Sequence, residues 1–186
     1  MPGSLIHRFT VDEYYRMAET GVIRPDARVE LLDGQIRDMM PIGSFHASVV
    51  DQLADLFFRA GGDRWLIRVQ SALRLDKFSE PQPDLMLLKR KDDFYRKGHP
   101  RPSDVFLLIE VADSSVIYDR EEKLPAYARG GLNEVWIVNI PQKQVEVYRE
   151  PHFLGYEQTT FYGVGDSISP QTFSDISIKV GDLVNL

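Results

Sequence analysis

Two short runs of apolar residues near the middle of the chain predict a pair of buried strands. They extend over 84–88 and 105–112, the length typical of strands buried on both faces. Each run carries one carboxylate where an apolar residue would be expected, Asp84 at the start of the first and Glu110 late in the second. A carboxylate buried alone is costly, so two that face one core predict a shared partner, most often a divalent cation.

The spacing of apolar residues elsewhere in the chain predicts three helices. The first, over 10–19, begins with a capping-box pattern of threonine and glutamate three residues apart. Ser44 is predicted to cap the second, over 45–60, in which apolar residues recur at intervals of three and four. The third covers 119–129, where Pro125 predicts a late start or a kink because proline lacks an N–H group.

Other apolar stretches predict several more strands. Asp33-Gly34, in the middle of 29–38, is the strongest short signal for a hairpin with a two-residue turn. The order of strand, helix and strand around 119–129 predicts a right-handed parallel crossover. Further strands are predicted over 65–70, 72–75, 135–140, 145–149 and, as added β-structure with a capping tail, within 156–183.

Length and composition are those of an ordinary globular protein. With 186 residues, 43% of them hydrophobic and 27% charged, the chain is predicted to form a single domain over 1–186. It has no cysteine, which excludes disulfides and thiolate metal sites. No run approaches the roughly 18 apolar residues of a membrane span, and the N-terminus lacks the apolar core of a signal peptide. We therefore expect a cytoplasmic protein that does not enter a membrane.

The distribution of charge bears on nucleic-acid binding. A net charge of −6 argues against a protein that coats nucleic acid, although a nuclease needs only a basic rim around an acidic site. The segment 89–102, between the two strands with carboxylates, has six Lys or Arg against two Asp. It is either a solvated loop or a loop that faces phosphates beside the site. Its candidate nucleic-acid-binding residues are Lys89, Arg90, Lys91, Arg96, Lys97 and Arg101.

The carboxylates belong to a longer pattern. Pro83-Asp84 on one predicted strand and Ile109-Glu110-Val111 on the next resemble the PD-(D/E)XK nuclease superfamily, the restriction-endonuclease-like fold. The chain is more closely similar to the family of short stand-alone chains labelled "putative restriction endonuclease", over roughly residues 10–150. That family's pattern occurs here in order as Glu30 to Gly34, His46 opening a helix, Pro83-Asp84, Glu110-Val111, Lys123 with Tyr127, Gly131, and Glu134 to Trp136.

The resemblance implies a fold and a reaction. The fold would be α/β, a restriction-endonuclease-like mixed central sheet flanked by helices, with extra N- and C-terminal strands. The reaction would be Mg²⁺-dependent hydrolysis of phosphodiesters in DNA, with Mn²⁺ as a substitute. Asp84 and Glu110 would hold the ion, the carbonyl of Val111 would be a further ligand, and the ion would activate a water molecule.

The superfamily pattern is broken at one position. Its lysine stands two residues after the second acid, on the same face of the strand, but Ala112 occupies that position here. The closer family's pattern implies that Lys123 reaches the site from the following helix and steadies the attacking hydroxide. In the same pattern Glu30 is an extra ligand or orients a metal-bound water. His46 and Tyr127 are accessory residues at the edge of the site.

Two other functions remain open at this stage. The first is a non-catalytic module that keeps the nuclease fold and binds nucleic acid or a protein, which the absent lysine and the negative charge favour. The second is a metal-dependent hydrolase of a smaller phosphoester. Each site residue also has a structural interpretation, since Asp84 can end a turn, Glu110 can serve a buried partner and His46 can begin a helix. A homodimer is expected for a nuclease, because one site cuts one strand.

Overall fold

A helix opens the computed structural model, which describes residues 6–184. Helix α1 (Val11–Glu19) begins at the predicted capping box. The Glu13 N–H donates to Thr10 Oγ1, and the Thr10 N–H donates to Glu13 Oε2 at 2.8 Å. Two N–H groups that would otherwise lack partners are thereby satisfied, which is why the helix begins there.

A hairpin follows α1 at the predicted place. Strands β1 (Val29–Leu32) and β2 (Gln35–Asp38) pair antiparallel, with Leu32 opposite Gln35. The turn residues Asp33 and Gly34 have φ angles of 51° and 76°. Turns of two residues in hairpins commonly require such positive φ angles, which Asp and Gly adopt readily.

Six strands form one mixed sheet at the centre of the molecule. In spatial order they are β3 (Leu66–Val69), β4 (Leu85–Leu88), β5 (Val105–Ala112), β6 (Glu134–Asn139), β7 (Gln144–His152) and β8 (Gly155–Gly163). Neighbouring strands run antiparallel except β5 and β6, which are parallel. The predicted parallel connection and the predicted mixed α/β class are confirmed. Strands β9 (Ser167–Ile168) and β10 (Ile178–Lys179) form a separate pair.

Helix α2 (Ser44–Gly61) covers one face of the central sheet. Its Leu53 and Phe57 belong to the same buried cluster as Ile109 and Val111 of β5. The helix starts one residue earlier than predicted, because Gly43 rather than Ser44 is the N-cap residue. Within residues 6–184, no helix has the length and apolar character needed to cross a membrane.

A continuous helical segment covers the opposite face. It consists of α3 (Val116–Tyr118), a π-helical turn (Asp119–Lys123) and α4 (Leu124–Arg129). Leu124 and Tyr127 share a second buried cluster with Leu108 and Ala112 of β5. Because successive residues of a strand face opposite sides, β5 is buried on both faces. A short C-terminal helix, α5 (Gly181–Val184), joins the cluster under α2.

Two sequence-based predictions about elements need correction. The helix predicted over 119–129 has no late start, since it begins at Val116, and its irregularity is the π-helical turn just before the proline. Residues 72–75 are not a strand. The N–H groups of Leu73 and Arg74 donate to the carbonyls of Pro81 and Pro100 in loops, so this segment has no strand to pair with.

The register of β4 and β5 positions the two carboxylates. Leu85 is paired with Ile109, so extending the register by one residue places Asp84 opposite Glu110. Both side chains fall on the face covered by α4, because they alternate with residues that face α2. The sheet therefore brings the two acids together at one end of adjacent strands.

Replacing Gly34 by Ala should destabilise the protein. An added Cβ would lie 2.6 Å from Arg8 Cβ, and the φ angle of +76° is unfavourable for any residue with a side chain. We expect the free energy of unfolding to fall by about 1–2 kcal/mol or more, measured by chemical denaturation. Gly98→Ala is the control, since Gly98 has no atom within 4 Å of an added Cβ. Equal stabilities of the two variants would contradict this account of the hairpin.

Candidate active site

A cavity of about 740 Å³ opens at the end of β4 and β5 that carries Asp84 and Glu110. Gln70, just after β3, is among its lining residues, and most of the others come from four parts of the chain. These parts are the β1–β2 hairpin, the segment that leads into α2, the ends of β4 and β5, and the helical segment after β5. The predicted residues Glu30, His46 and Lys123 line this cavity with the two acids.

Asp84 is fixed by three hydrogen bonds. Its Oδ1 lies 2.9 Å from His46 Nε2 and accepts from Gln70 Nε2 at 3.3 Å. Its Oδ2 accepts from the Val111 N–H at 2.9 Å. Burial opposes ionisation of Asp84, but the hydrogen bond and charge of His46, the Val111 N–H and the charge of Lys123 together outweigh it and lower the pKa of the carboxyl. The same hydrogen bond raises the pKa of His46.

Glu110 lies deeper, with 2% of its surface exposed. Its Oε1 accepts hydrogen bonds from Tyr127 Oη at 2.5 Å and from Lys123 Nζ at 3.1 Å. Its Oε2 lies 3.4 Å from the Asp84 N–H. Burial raises the pKa of Glu110 to about 8. Repulsion from Asp119 and Asp84 acts in the same direction, whereas the positive charge of Lys123 acts to lower this pKa. Burial therefore opposes ionisation of Glu110, whereas the Lys123 ammonium favours its charged form.

Lys123 occupies the position that the resemblance implied. It comes from the end of the π-helical turn, and its Nζ lies 3.1 Å from Glu110 Oε1 and 3.7 Å from Glu30 Oε1. Burial would lower the pKa of Lys123, but the surrounding carboxylates outweigh it and raise the pKa. Ala112 is fully buried in the cluster under α4. The predicted placement of Lys123 is confirmed, whereas its catalytic role stays a prediction.

Glu30 reaches the site from the hairpin. Its Oε1 accepts a hydrogen bond from Tyr118 Oη at 3.0 Å, and its Oε2 accepts from the Gln82 N–H at 2.9 Å. These two contacts orient the carboxylate toward Lys123. The hairpin, the loop before β4 and the helical segment therefore meet at this one side chain.

Sequence reasoning missed several residues that the structure brings to the cavity. Asp119 is buried, accepts a hydrogen bond from Ser115 Oγ at 2.6 Å and has its pKa raised by burial. It stands four residues before Lys123, a spacing that places two residues on one helix face. Arg37 is the cross-strand partner of Glu30, which the two-residue turn already implied. Gln70 comes from a loop and has no comparable signal in the sequence.

The basic segment 89–102 lies away from this cavity. It joins the far ends of β4 and β5, and none of its residues lines the cavity. Lys91 pairs with Asp104 at 2.9 Å, and Arg90 pairs with Asp63 at 3.1 Å. The expectation that this loop lies beside the site is wrong, because antiparallel strands put their connecting loop at the opposite end from the acids. The six basic residues that were expected beside the site are Lys89, Arg90, Lys91, Arg96, Lys97 and Arg101.

The charge balance of the cavity suits a bound cation. Two arginines, one lysine and His46 face a larger number of acids across the lining. Like charges this close raise one another's free energy when all are ionised, and a divalent ion would relieve that repulsion. The six acids of the lining are Glu30, Asp38, Asp84, Glu110, Asp113 and Asp119.

The donor set suits an ion that keeps part of its water shell. Among residues 6–184 no group of three or more His, Asp or Glu side chains is arranged to hold a metal. Asp84 and Glu110 would supply two carboxylates. Mg²⁺ is commonly held by one or two carboxylates together with water and substrate oxygens. Val111 contacts the site through its N–H, and the proposed role of its carbonyl as a ligand stays a prediction.

A family model and a solved structure are similar to this chain. A model of the family described as "Uma2: Putative restriction endonuclease" matches residues 11–181. A crystal structure described as "a putative nuclease belonging to DUF820", from Anabaena variabilis ATCC 29413, matches with a TM-score of 0.69 and 15% sequence identity. The match covers 95% of this chain and 98% of that one. No curated protein matches the chain.

The contact between Asp84 and His46 should make stability depend on pH. The folded-state pKa of His46 is raised above its ordinary value of 6.5, so the contact stabilises the fold fully below that value. The contribution is lost as the pH rises through the raised pKa. In metal-free protein, the difference in unfolding free energy between wild type and His46→Gln should therefore shrink with rising pH. For Asp84→Asn, which removes the charged acceptor, the difference in unfolding free energy from wild type should shrink with rising pH in the same way. A difference that is the same above and below pH 6.5 would contradict this role of the contact.

Proposed function

The chain belongs to the family described as "Putative restriction endonuclease", and from this premise we propose that it is a metal-dependent endodeoxyribonuclease. One observation carries the proposal. Lys123 Nζ lies 3.1 Å from Glu110, whose carboxylate lies beside Asp84 in one cavity. Acid, acid and lysine thus meet although the lysine comes from a helix rather than from the strand.

Asp84 and Glu110 are the proposed ligands of Mg²⁺ or Mn²⁺. When bound, such an ion polarises the scissile phosphate and lowers the pKa of a coordinated water. Glu30 lies 3.7 Å from Lys123 in the same cavity, and its proposed role is to orient a water bound to the ion. His46 and Tyr127 are positioning residues, because each holds one oxygen of an acid through a hydrogen bond.

Lys123 is the proposed source of positive charge at the reacting phosphate. Its ammonium has three donors; one bonds to Glu110 at 3.1 Å, and Glu30 lies 3.7 Å away, beyond hydrogen-bond distance. We assign a further donor to the attacking water or to a phosphate oxygen. Because the raised pKa of Lys123 keeps it protonated, we assign it electrostatic stabilisation of the developing charge rather than removal of a proton.

DNA is the proposed substrate on the strength of the family description. A homodimer stays a prediction, since one site per chain cuts one strand. The second candidate is a module that binds DNA or protein without cutting. The contact of Lys123 and Tyr127 with Glu110 favours it, because each group in that contact is satisfied without a metal ion.

Replacing Lys123 by Ala should abolish cleavage while leaving metal binding in place. Loss of one charge-stabilising donor typically lowers turnover by about 10²–10³-fold. Asp84→Ala and Glu110→Ala should instead lose both cleavage and metal binding. Cleavage of plasmid, single-stranded and branched DNA with Mg²⁺ and with Mn²⁺ measures the first property, and calorimetry measures the second. Lys179→Ala is the control, since Lys179 is exposed on β10 and does not line the cavity.

Two results would overturn these assignments. Wild-type turnover in Lys123→Ala would remove the lysine from the mechanism. If the wild-type protein cuts none of the three DNA forms with either ion, the nuclease proposal fails and the binding module replaces it.

A further inference from the structure

Phosphodiester chemistry does not account for one side of the cavity. Its mouth carries five apolar side chains, which we call the apolar wall: Met39, Met40, Pro41, Ile42 and Phe45. Of these, Met40 is 78% exposed, and Ile42 and Phe45 are 37% and 38% exposed. Glu110 and Lys123 are only 2% and 6% exposed. The exposed members of the apolar wall therefore lie nearer to solvent than Glu110 and Lys123.

The apolar wall is fixed to the groups of the site. The Met39 N–H donates to the Arg28 carbonyl at 2.8 Å, and Arg28 Nη1 donates to the Met40 carbonyl at 3.4 Å. Phe45 lies in the first turn of α2, directly before His46, which contacts Asp84. The wall is thus continuous with the hairpin on one side and with the carboxylates on the other.

Arg37 lines the same cavity, and 35% of its side chain is exposed. Its Nη2 donates to Glu122 Oε2 at 3.1 Å, so the guanidinium is held on the side of the hairpin. A guanidinium fork matches the oxygens of a phosphate, and Arg28 is the other arginine of the lining.

From these observations we propose that the apolar wall and Arg37 form a subsite for one unstacked nucleotide, and that the substrate is single-stranded DNA. The inference rests on the proposed nuclease function and names its substrate class. The base lies against Phe45, and Arg37 binds a phosphate next to the one that is cut. A cavity of about 740 Å³ has the size of a site for one small molecule.

A DNA duplex presents no unstacked base to the apolar wall. Its bases are paired and stacked on both faces, whereas single-stranded bases are free to stack on aromatic side chains. Binding to a duplex also depends mainly on many phosphate contacts. The cavity has only two arginines, and the basic segment 89–102 lies at the other end of the strands. Contact with a short stretch of single strand fits this limited supply of positive charge.

Binding of fluorescent DNA tests the proposal. In the Lys123→Ala background, which keeps the metal ligands, anisotropy with Mg²⁺ gives the affinity for a single strand and for the duplex of the same sequence. We expect the single strand to bind more tightly. Phe45→Ala should weaken its binding by roughly fivefold to a hundredfold, the effect of losing one base stack, and should leave duplex binding unchanged. Phe58→Ala is the matched control, because Phe58 is on the same helix, is 69% exposed and does not line the cavity.

A 2-aminopurine in the single strand gives a second readout, because stacking on Phe45 should quench its fluorescence and Phe45→Ala should restore it. Duplex binding as tight as single-strand binding, or a Phe45→Ala effect no larger than that of Phe58→Ala, would overturn the subsite. The nuclease proposal fails separately, through absence of cleavage by the wild-type protein. Equal cleavage of both DNA forms with no effect of Phe45→Ala would leave that proposal standing and remove this one.

Discussion

The ion pair between Lys123 and Glu110 is the interaction on which the site depends. Both side chains are buried, and withdrawing two such charges from water costs several kcal/mol per ion, which attraction repays only with good geometry and further hydrogen bonds. Tyr127 supplies one of these by donating to the same Glu110 oxygen. Removing either partner would leave an uncompensated charge in the core. The strand, the helix and the hairpin that carries Glu30 must therefore all be in place before the pair is favourable.

Lys123 stands at the end of the π-helical turn. Two contacts join this turn to the central sheet, through Lys123 to Glu110 on β5 and through Arg120 to the fully buried Glu146 on β7. The bidentate contact of Arg120 with Glu146 is itself completed by Tyr148 Oη. A π-helical turn contains about one residue more than an α-helical turn. Such turns are found often at functional sites. Lys123 thereby contacts Glu110 from the helical segment, although the strand position two residues after Glu110 is occupied by Ala112.

Most of the frame could be predicted from the sequence because its signals are local. The Asp33-Gly34 turn fixes the register of the hairpin, and the apolar run over 105–112 reproduces β5 residue for residue. What could not be predicted depends on contacts between distant segments. The extended segment 72–75 resembles a strand, but its N–H groups bond to loops. The basic segment was misplaced because charge composition says nothing of which end of a strand a loop occupies.

The prediction that Lys123 belongs to the site came from the family resemblance and not from the spacing of apolar residues. The structure gives the physical reason for its burial, since Glu110 and Glu30 lie 3.1 Å and 3.7 Å from its ammonium.

The proposal that this acid-rich cavity binds a divalent cation can be checked by calorimetric titration of the metal-free protein with Mn²⁺ and Mg²⁺. We expect saturable binding in wild type that is lost in Asp84→Asn and kept in Lys123→Ala, since the latter change removes a competing positive charge. No binding by the wild-type protein, or equal binding by Asp84→Asn, would contradict it.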